Sequence, residues 1–98
     1  MSDEQSAIEI VHNPEASRYE ARIDGALAGF ADYVDGDGIR SFTHTEVDPG
    51  FGGRGVGSQL VDDALRSTIA EGRRIRPICS FVVARAEADE FAAHVAER

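Results

Sequence analysis

Polar and apolar residues alternate with a period of two through the first half of this 98-residue chain. In "RYEARIDG" (18–25), Tyr19, Ala21 and Ile23 share one face while Arg18, Glu20, Arg22 and Asp24 share the other. That is the pattern of a strand buried on one side. "AIEIVHN" (7–13) sets Ile8 and Ile10 against Glu9 and predicts an earlier strand, with "NPEAS" as a short connector. Asp24-Gly25 is a two-residue hairpin signal, so "ALAGFADYV" (26–34) reads as the returning strand. "DGDG" (35–38) marks another turn, and "IRSFTHTEV" (39–47) reads as a fourth strand. The pattern predicts an antiparallel meander after a loose polar tail at residues 1–6.

The period then changes. Val56, Leu60, Val61, Ala64, Leu65, Thr68 and Ile69 recur at helical spacing. Gly72 suits the C-terminal cap of that helix. "RIRPICS" (74–80) reads as a fifth strand. "FVVARAEADEFAAHVAER" (81–98) reads as a closing helix, with Ser80 as its N-cap. Its inward stripe is expected to be Phe81, Ala84, Ala88, Phe91, Ala92 and Val95. The order β-β-β-β-α-β-α implies an α/β (α+β) fold with a mixed sheet. The fourth and fifth strands, joined by a crossover helix, are expected to be parallel. Residues 7–98 are expected to form one domain, which the length also suits.

Composition narrows the function classes. The net charge of −8 disfavours nucleic acid, whose recognition begins with a basic face. An acidic surface suits a cationic partner, such as an amine or a basic peptide, set against the plainer reading of a generic solvated acidic surface. No apolar run approaches the roughly 18 residues of a membrane span. The acidic start "MSDEQSA" is unlike a signal peptide. The lone cysteine, Cys79, excludes an internal disulfide and a multi-cysteine metal site. A cytoplasmic protein without a metal centre is the expectation.

The segment "VDPGFGGRGVGSQL" (47–60) places Gly50, Gly52, Gly53, Gly55 and Gly57 just before the helix. A helix starting after such a turn offers unpaired N–H groups and a positive dipole end, which suits a phosphate. A turn with nothing bound is the plainer alternative. The chain has no lysine for a P-loop. Gly50-Phe51-Gly52-Gly53-Arg54-Gly55 satisfies GxGxxG literally, but the stacked βαβ units that use this fingerprint are missing.

"FGGRGVGSQL", following "THTEVDP", resembles the acyl-CoA-binding motif of the GNAT family of N-acetyltransferases. That motif reads Arg/Gln-x-x-Gly-x-Gly/Ala, between the fourth strand and the next helix. Gly55 and Gly57 take the two small positions, and Gly52 stands where the family has Arg or Gln. Arg54 is the candidate to restore the missing positive charge. "HTEV" (44–47) and "RPICSFV" (76–82) are similar to a small GNAT-like subfamily of about this length. "ADEFAAH" departs from its usual His-Pro-Glu-Tyr stretch.

The resemblance implies acetyl-CoA as cosubstrate and transfer of its acetyl group to an amine by direct attack in a ternary complex. The alternative is a non-catalytic acyl-CoA-binding or protein-interaction module on the same fold. In the implied layout, the pyrophosphate lies on N–H groups of Gly53, Arg54, Gly55, Val56, Gly57 and Ser58. The pantetheine arm pairs with main-chain groups near Glu46, Val47 and Asp48. The thioester then points at the gap between residues 44–46 and Cys79.

A protonated amine cannot attack, so the chemistry needs a base. His44 and Glu46, two apart on one strand, share a face unless a bulge intervenes. They are the candidate base and acceptor-binding groups, set against the plainer reading of a solvated strand face. Cys79 ends the fifth strand, where it is a candidate nucleophile, a candidate acid for the leaving sulfur, or a small buried hydrophobe. His12 and His94 read as surface residues. The resemblance implies one or two helices over the acceptor site between the first and second strands, where this chain has only "NPEAS". The acceptor side is therefore expected to be open, which suits a protein amine or a partner that completes the site.

Overall fold

The alternating half of the sequence folds as four antiparallel strands: β1 (Glu9–Asn13), β2 (Arg18–Ile23), β3 (Ala26–Gly36) and β4 (Ile39–Val47). Helix α1 (Val56–Ala70) then crosses to β5 (Arg74–Pro77), which pairs with β4 in parallel. The sheet order is β1-β2-β3-β4-β5. Two short helices follow, α2 (Ser80–Ala86) and α3 (Asp89–Ala92), and 3-10 turns occupy Pro14–Ala16 and Pro49–Phe51. This computed structural model describes residues 7–96, so the tail expected at residues 1–6 lies outside the described residues.

Both hairpins turn on an Asp-Gly pair in the left-handed region. Asp24 and Gly25 have φ of 53° and 82°, and Asp37 and Gly38 have 56° and 76°. Positive φ at both central residues defines the turn whose twist matches the flanking strands. The second hairpin is tighter than expected, because β3 runs on through Asp35 and Gly36.

One sheet face is packed against helices. Tyr19, Ala21 and Ile23 of β2, with Ala31 of β3 and Phe42 of β4, meet Val56, Leu60, Val61, Ala64 and Leu65 of α1. Helix α1 ends in a Schellman cap. Gly72 takes φ 81° and donates to Ile69 O at 2.9 Å, while Arg73 N donates to Thr68 O at 3.1 Å.

The closing segment departs from expectation. It is broken into α2 and α3, and the chain then runs back so that Val95 bridges Ile75 in parallel. Ile75 N donates to His94 O at 2.9 Å, and Ala96 N donates to Ile75 O. The free edge of β5 carries unpaired backbone groups, and the returning chain satisfies them, which a continuous helix could not do. The buried residues are Val82, Ala86 and Phe91, whereas Phe81, Ala84, Ala88 and Ala92 are exposed. Cys79, not Ser80, is the N-cap of α2. The fifth strand stops at Pro77, and the first begins at Glu9.

His12 is also not a surface residue. Its ring stacks on Tyr19 at 4.2 Å between centroids, and its Nε2 lies 2.6 Å from the Tyr33 hydroxyl. His94 is exposed, as expected.

Among the described residues no helix covers the opposite sheet face, yet Glu20 there is only 4% exposed. Arg22 Nη2 reaches it at 2.8 Å, Arg18 Nε at 2.9 Å and Asn13 Nδ2 at 3.2 Å. The Arg22 and Asn13 bonds, opposed by burial and aided by Arg18, lower its pKa from 4.5 to about 2. A depressed carboxylate contributes stability above its unfolded pKa and loses it as pH falls through the folded one. The window here is pH 4.5 down to about 2. Glu20→Gln is therefore expected to destabilise the fold at pH 7 and to flatten this part of the acid limb. Urea midpoints at pH 7, 4 and 2.5 check this, and parallel curves for both proteins would count against it.

Candidate functional site

The site begins where two strands part. Pairing of β4 with β5 runs from Ile39–Arg74 to Phe42–Pro77 and then stops. Ile78 N and Cys79 N both donate to Phe42 O, at 3.1 and 3.0 Å, as the chain turns off into α2. Among the described residues, 43–47 of β4 continue against β3 alone.

A β-bulge decides what this free stretch presents. Asp32 pairs with His44 and Tyr33 with Phe42, so Thr43 is the extra residue. Before the bulge, Arg40 and Phe42 point into the core. After it the parity flips. His44 and Glu46 now lie on the helix-free face, and Thr45 and Val47 face the helices. The His44 ring lies 6.1 Å from that of Phe30, and His44 Nε2 lies 3.3 Å from Glu46 Oε2. Their side chains are 54% and 62% exposed.

The main chain follows the same alternation. Asp48 N donates to Ala28 O at 2.8 Å, so the Asp48 N–H is already committed. Directly opposed antiparallel residues exchange bonds at every second pair, which turns Glu46 towards β3 and leaves Thr45 and Val47 with groups aimed at the gap. Among the expected arm-pairing residues only Val47 meets that requirement, and Thr45 joins it.

The glycine segment closes one end. Asp48 Oδ1 accepts from Gly50 N at 2.8 Å and starts the Pro49–Phe51 turn. Gly53 and Gly55 adopt φ of 81° and 74°. Gly55 is the N-cap of α1 and brings no side chain to it, so the first N–H groups of the helix have no side-chain acceptor.

Between these parts lies a cleft of about 320 Å³, lined by Thr45, Val47, Phe51, Gly52, Gly53, Gly55, Val56, Gly57, Ser58 and Phe81. A Cβ placed on Gly57 would come within 3.1 Å of Phe81 Cζ and 3.3 Å of Val47 Cγ2. Arg54 is exposed and outside the lining, with its guanidinium 5.7 Å from the Phe51 ring centre. Glu46 and Asp48 line a neighbouring cavity of about 460 Å³, shared with Phe30 and Val47.

Cys79 packs partly buried against the core. Burial pushes its thiol up, but the Thr45 hydroxyl and the N–H groups of Phe81 and Val82 outweigh that and leave it lowered. The Thr45 hydroxyl faces the thiol, although Oγ1 does not reach full hydrogen-bond geometry with any side chain or main-chain group among the described residues.

Thr45, Phe51 and Phe81 line the cleft in addition to the residues expected for the site. Phe81 was hidden by a helical stripe read out of phase, and Thr45 by a bulge that no local pattern announces. Phe51 stood in plain view inside the glycine segment.

Residues 18–95 match the family of GCN5-related N-acetyl-transferases. A search of the curated proteins finds no match. Among solved structures, the chain is similar to the NMR solution structure of a GCN5-like protein from Staphylococcus aureus, named as a candidate N-acetyltransferase. The identity is 19%, covering 92% of this chain and 89% of that one, with a TM-score of 0.67. The likeness shows the same fold, and the family match spans most of the chain: it belongs to the GCN5-related N-acetyltransferases.

Proposed function

We propose that the chain is an acetyl-CoA-dependent N-acetyltransferase that transfers the acetyl group to an amine by direct attack in a ternary complex. The observation that carries this reading is the cleft between β4 and α2, which joins a helix start without a side-chain cap to an unpaired strand edge. An acyl-CoA needs both, donors for its pyrophosphate and partners for the amides of its arm. N–H groups from Gly53 to Ser58 hold the pyrophosphate, and Arg54 sits beside them. The arm lies along Thr45 and Val47 and is backed by Phe81.

The amine, as free base, attacks the thioester carbonyl carbon. The C–N bond forms, the C–S bond breaks, and the amine's proton passes to the His44–Glu46 pair on the open face. CoA leaves as a thiolate and takes a proton from Cys79, which regains one from solvent. The acceptor enters across the helix-free face, where only the Pro14–Ala16 turn separates β1 from β2. That openness favours a cationic protein amine over a small enclosed one.

Release of free CoA from acetyl-CoA, measured across a panel of amines and basic peptides, tests the reading. At least one cationic acceptor is expected to turn over, and Cys79→Ser is expected to slow it by roughly 10²–10⁴-fold, the range for acid–base groups. Intact-protein mass spectrometry with acetyl-CoA and no acceptor is expected to show no adduct. A stoichiometric acetyl group on Cys79 would replace direct attack with a covalent route. Tight binding without turnover on any acceptor would favour the non-catalytic module.

A further inference from the structure

One polar group in the cleft completes no hydrogen bond within the fold, although the Cys79 thiol lies beside it. Thr45 Oγ1 is buried and hydrogen-bonds to nothing, the one such side-chain atom among the described residues. A hydroxyl taken out of water without a partner destabilises the chain that carries it. Valine has nearly the same shape and is equally at home in a strand, so packing alone would be served better by valine. The Cys79 thiol beside it is only a weak partner, so the hydroxyl points to a stronger one that arrives from outside the fold.

Its position says which kind. Thr45 lies three residues beyond Phe42, the last residue of β4 that pairs with β5, on the cleft side of the strand and near Cys79. The side chains around it in the cleft are mostly apolar, with Val47, Val56, Phe51 and Phe81 among them. The other hydroxyl of the lining, Ser58, stands in the first turn of α1. A neutral donor in an apolar wall suits a neutral acceptor that gains negative charge during reaction, because such a donor counts for most where water is excluded. At the reacting end of an acyl thioester, the one strong acceptor is the carbonyl oxygen.

We propose that the Thr45 hydroxyl donates a hydrogen bond to the carbonyl oxygen of the acyl thioester, binding it in the ground state and stabilising the oxyanion formed on attack. This rests on the acyl-CoA reading of the cleft. The donor is a side chain, so it can be removed without disturbing the main-chain edge that holds the arm.

Thr45→Val and Thr45→Ser test it through melting without ligand and through calorimetric titration with acetyl-CoA and with CoA, which lacks the carbonyl. Thr45→Val is expected to melt at or above the wild type. It is expected to bind acetyl-CoA about tenfold more weakly, the scale of one hydrogen bond, while binding CoA within about twofold of wild type. Thr45→Ser is expected to keep most of the acetyl-CoA affinity. Lower melting of Thr45→Val would mean that a structural water or the protein itself satisfies the hydroxyl, and would overturn the proposal. Unchanged acetyl-CoA affinity would overturn it too. Equal losses for both ligands would move the contact to the pantetheine arm. A wild type that binds neither ligand would overturn the cleft reading and this proposal with it.

Discussion

Gly57→Val is expected to fold and to lose acetyl-CoA, with affinity falling at least tenfold, or about 1.4 kcal/mol. Gly57 stands in the first turn of α1 in an ordinary helical conformation, so a side chain brings no backbone strain. Space is what opposes it. Even a bare Cβ lies 3.1 Å from Phe81 Cζ and 3.3 Å from Val47 Cγ2, and valine adds two methyl groups to that tight spot. Phe81 is 40% exposed and its ring can swing aside, which preserves the fold but moves one wall of the site. Gly55 would make a poorer test. Its φ of 74° strains any side chain, and that would mix folding with binding. Gly57→Ala is expected to fall between wild type and valine, because one Cβ requires only a few tenths of an ångström from the ring. Calorimetric titration with acetyl-CoA on the folded variants decides the matter, and unchanged affinity in Gly57→Val would remove the ligand from this cleft.

The largest stability effect is expected at Arg40, far from the cleft. Arg40 points into the core from β4, and its side chain is 3% exposed. Its guanidinium forks onto Asp35 at 2.7 and 2.9 Å and onto Glu71 at 3.0 and 3.2 Å. It donates to the Tyr19 hydroxyl at 2.6 Å and lies 4.1 Å from the centre of the Tyr33 ring. One side chain thus ties together the β3–β4 hairpin, β2 and the end of α1. The Asp35 and Glu71 carboxyls are both lowered, each first by its hydrogen bond to Arg40. Removing one partner of a buried pair costs about 3–5 kcal/mol. Asp35 and Glu71 are about one-third exposed and can rehydrate, which puts Arg40→Met near the lower end of that range. For a domain of this size that corresponds to a fall in Tm of at least about 10 °C. Arg40→Lys keeps the charge but not the planar fork, and is expected to fall between the two. Thermal unfolding followed by circular dichroism measures both. A Tm within a few degrees of wild type for Arg40→Met would show that water replaces these contacts at little loss.

The two predictions divide along the line between what local pattern reveals and what it hides. The glycine segment was legible because its features are local. Left-handed Gly53 and Gly55 and the stripe from Val56 to Leu65 follow from residue type and period. The Arg40 cluster was not. A lone arginine in "IRSFTHTEV" reads as a polar residue on a strand, and its partners lie 5, 21 and 31 positions away in sequence. The same distance in sequence hid the placement of His12 beside Tyr19 and Tyr33.

The sequence by itself determined the meander, both Asp-Gly hairpins, the crossover helix with its glycine cap, and the parallel pairing of the fourth and fifth strands. Each depends on a backbone preference or a hydrophobic period confined to a few neighbouring residues. Only the tertiary structure decided the bulge at Thr43, which turns His44 and Glu46 outward and Thr45 and Val47 into the cleft. It also broke the closing helix, because the bare edge of β5 needed partners for its backbone groups and the end of the chain supplied them. Both outcomes are settled by hydrogen bonds to another strand, and the residues that make those bonds carry no local mark of where that strand will lie.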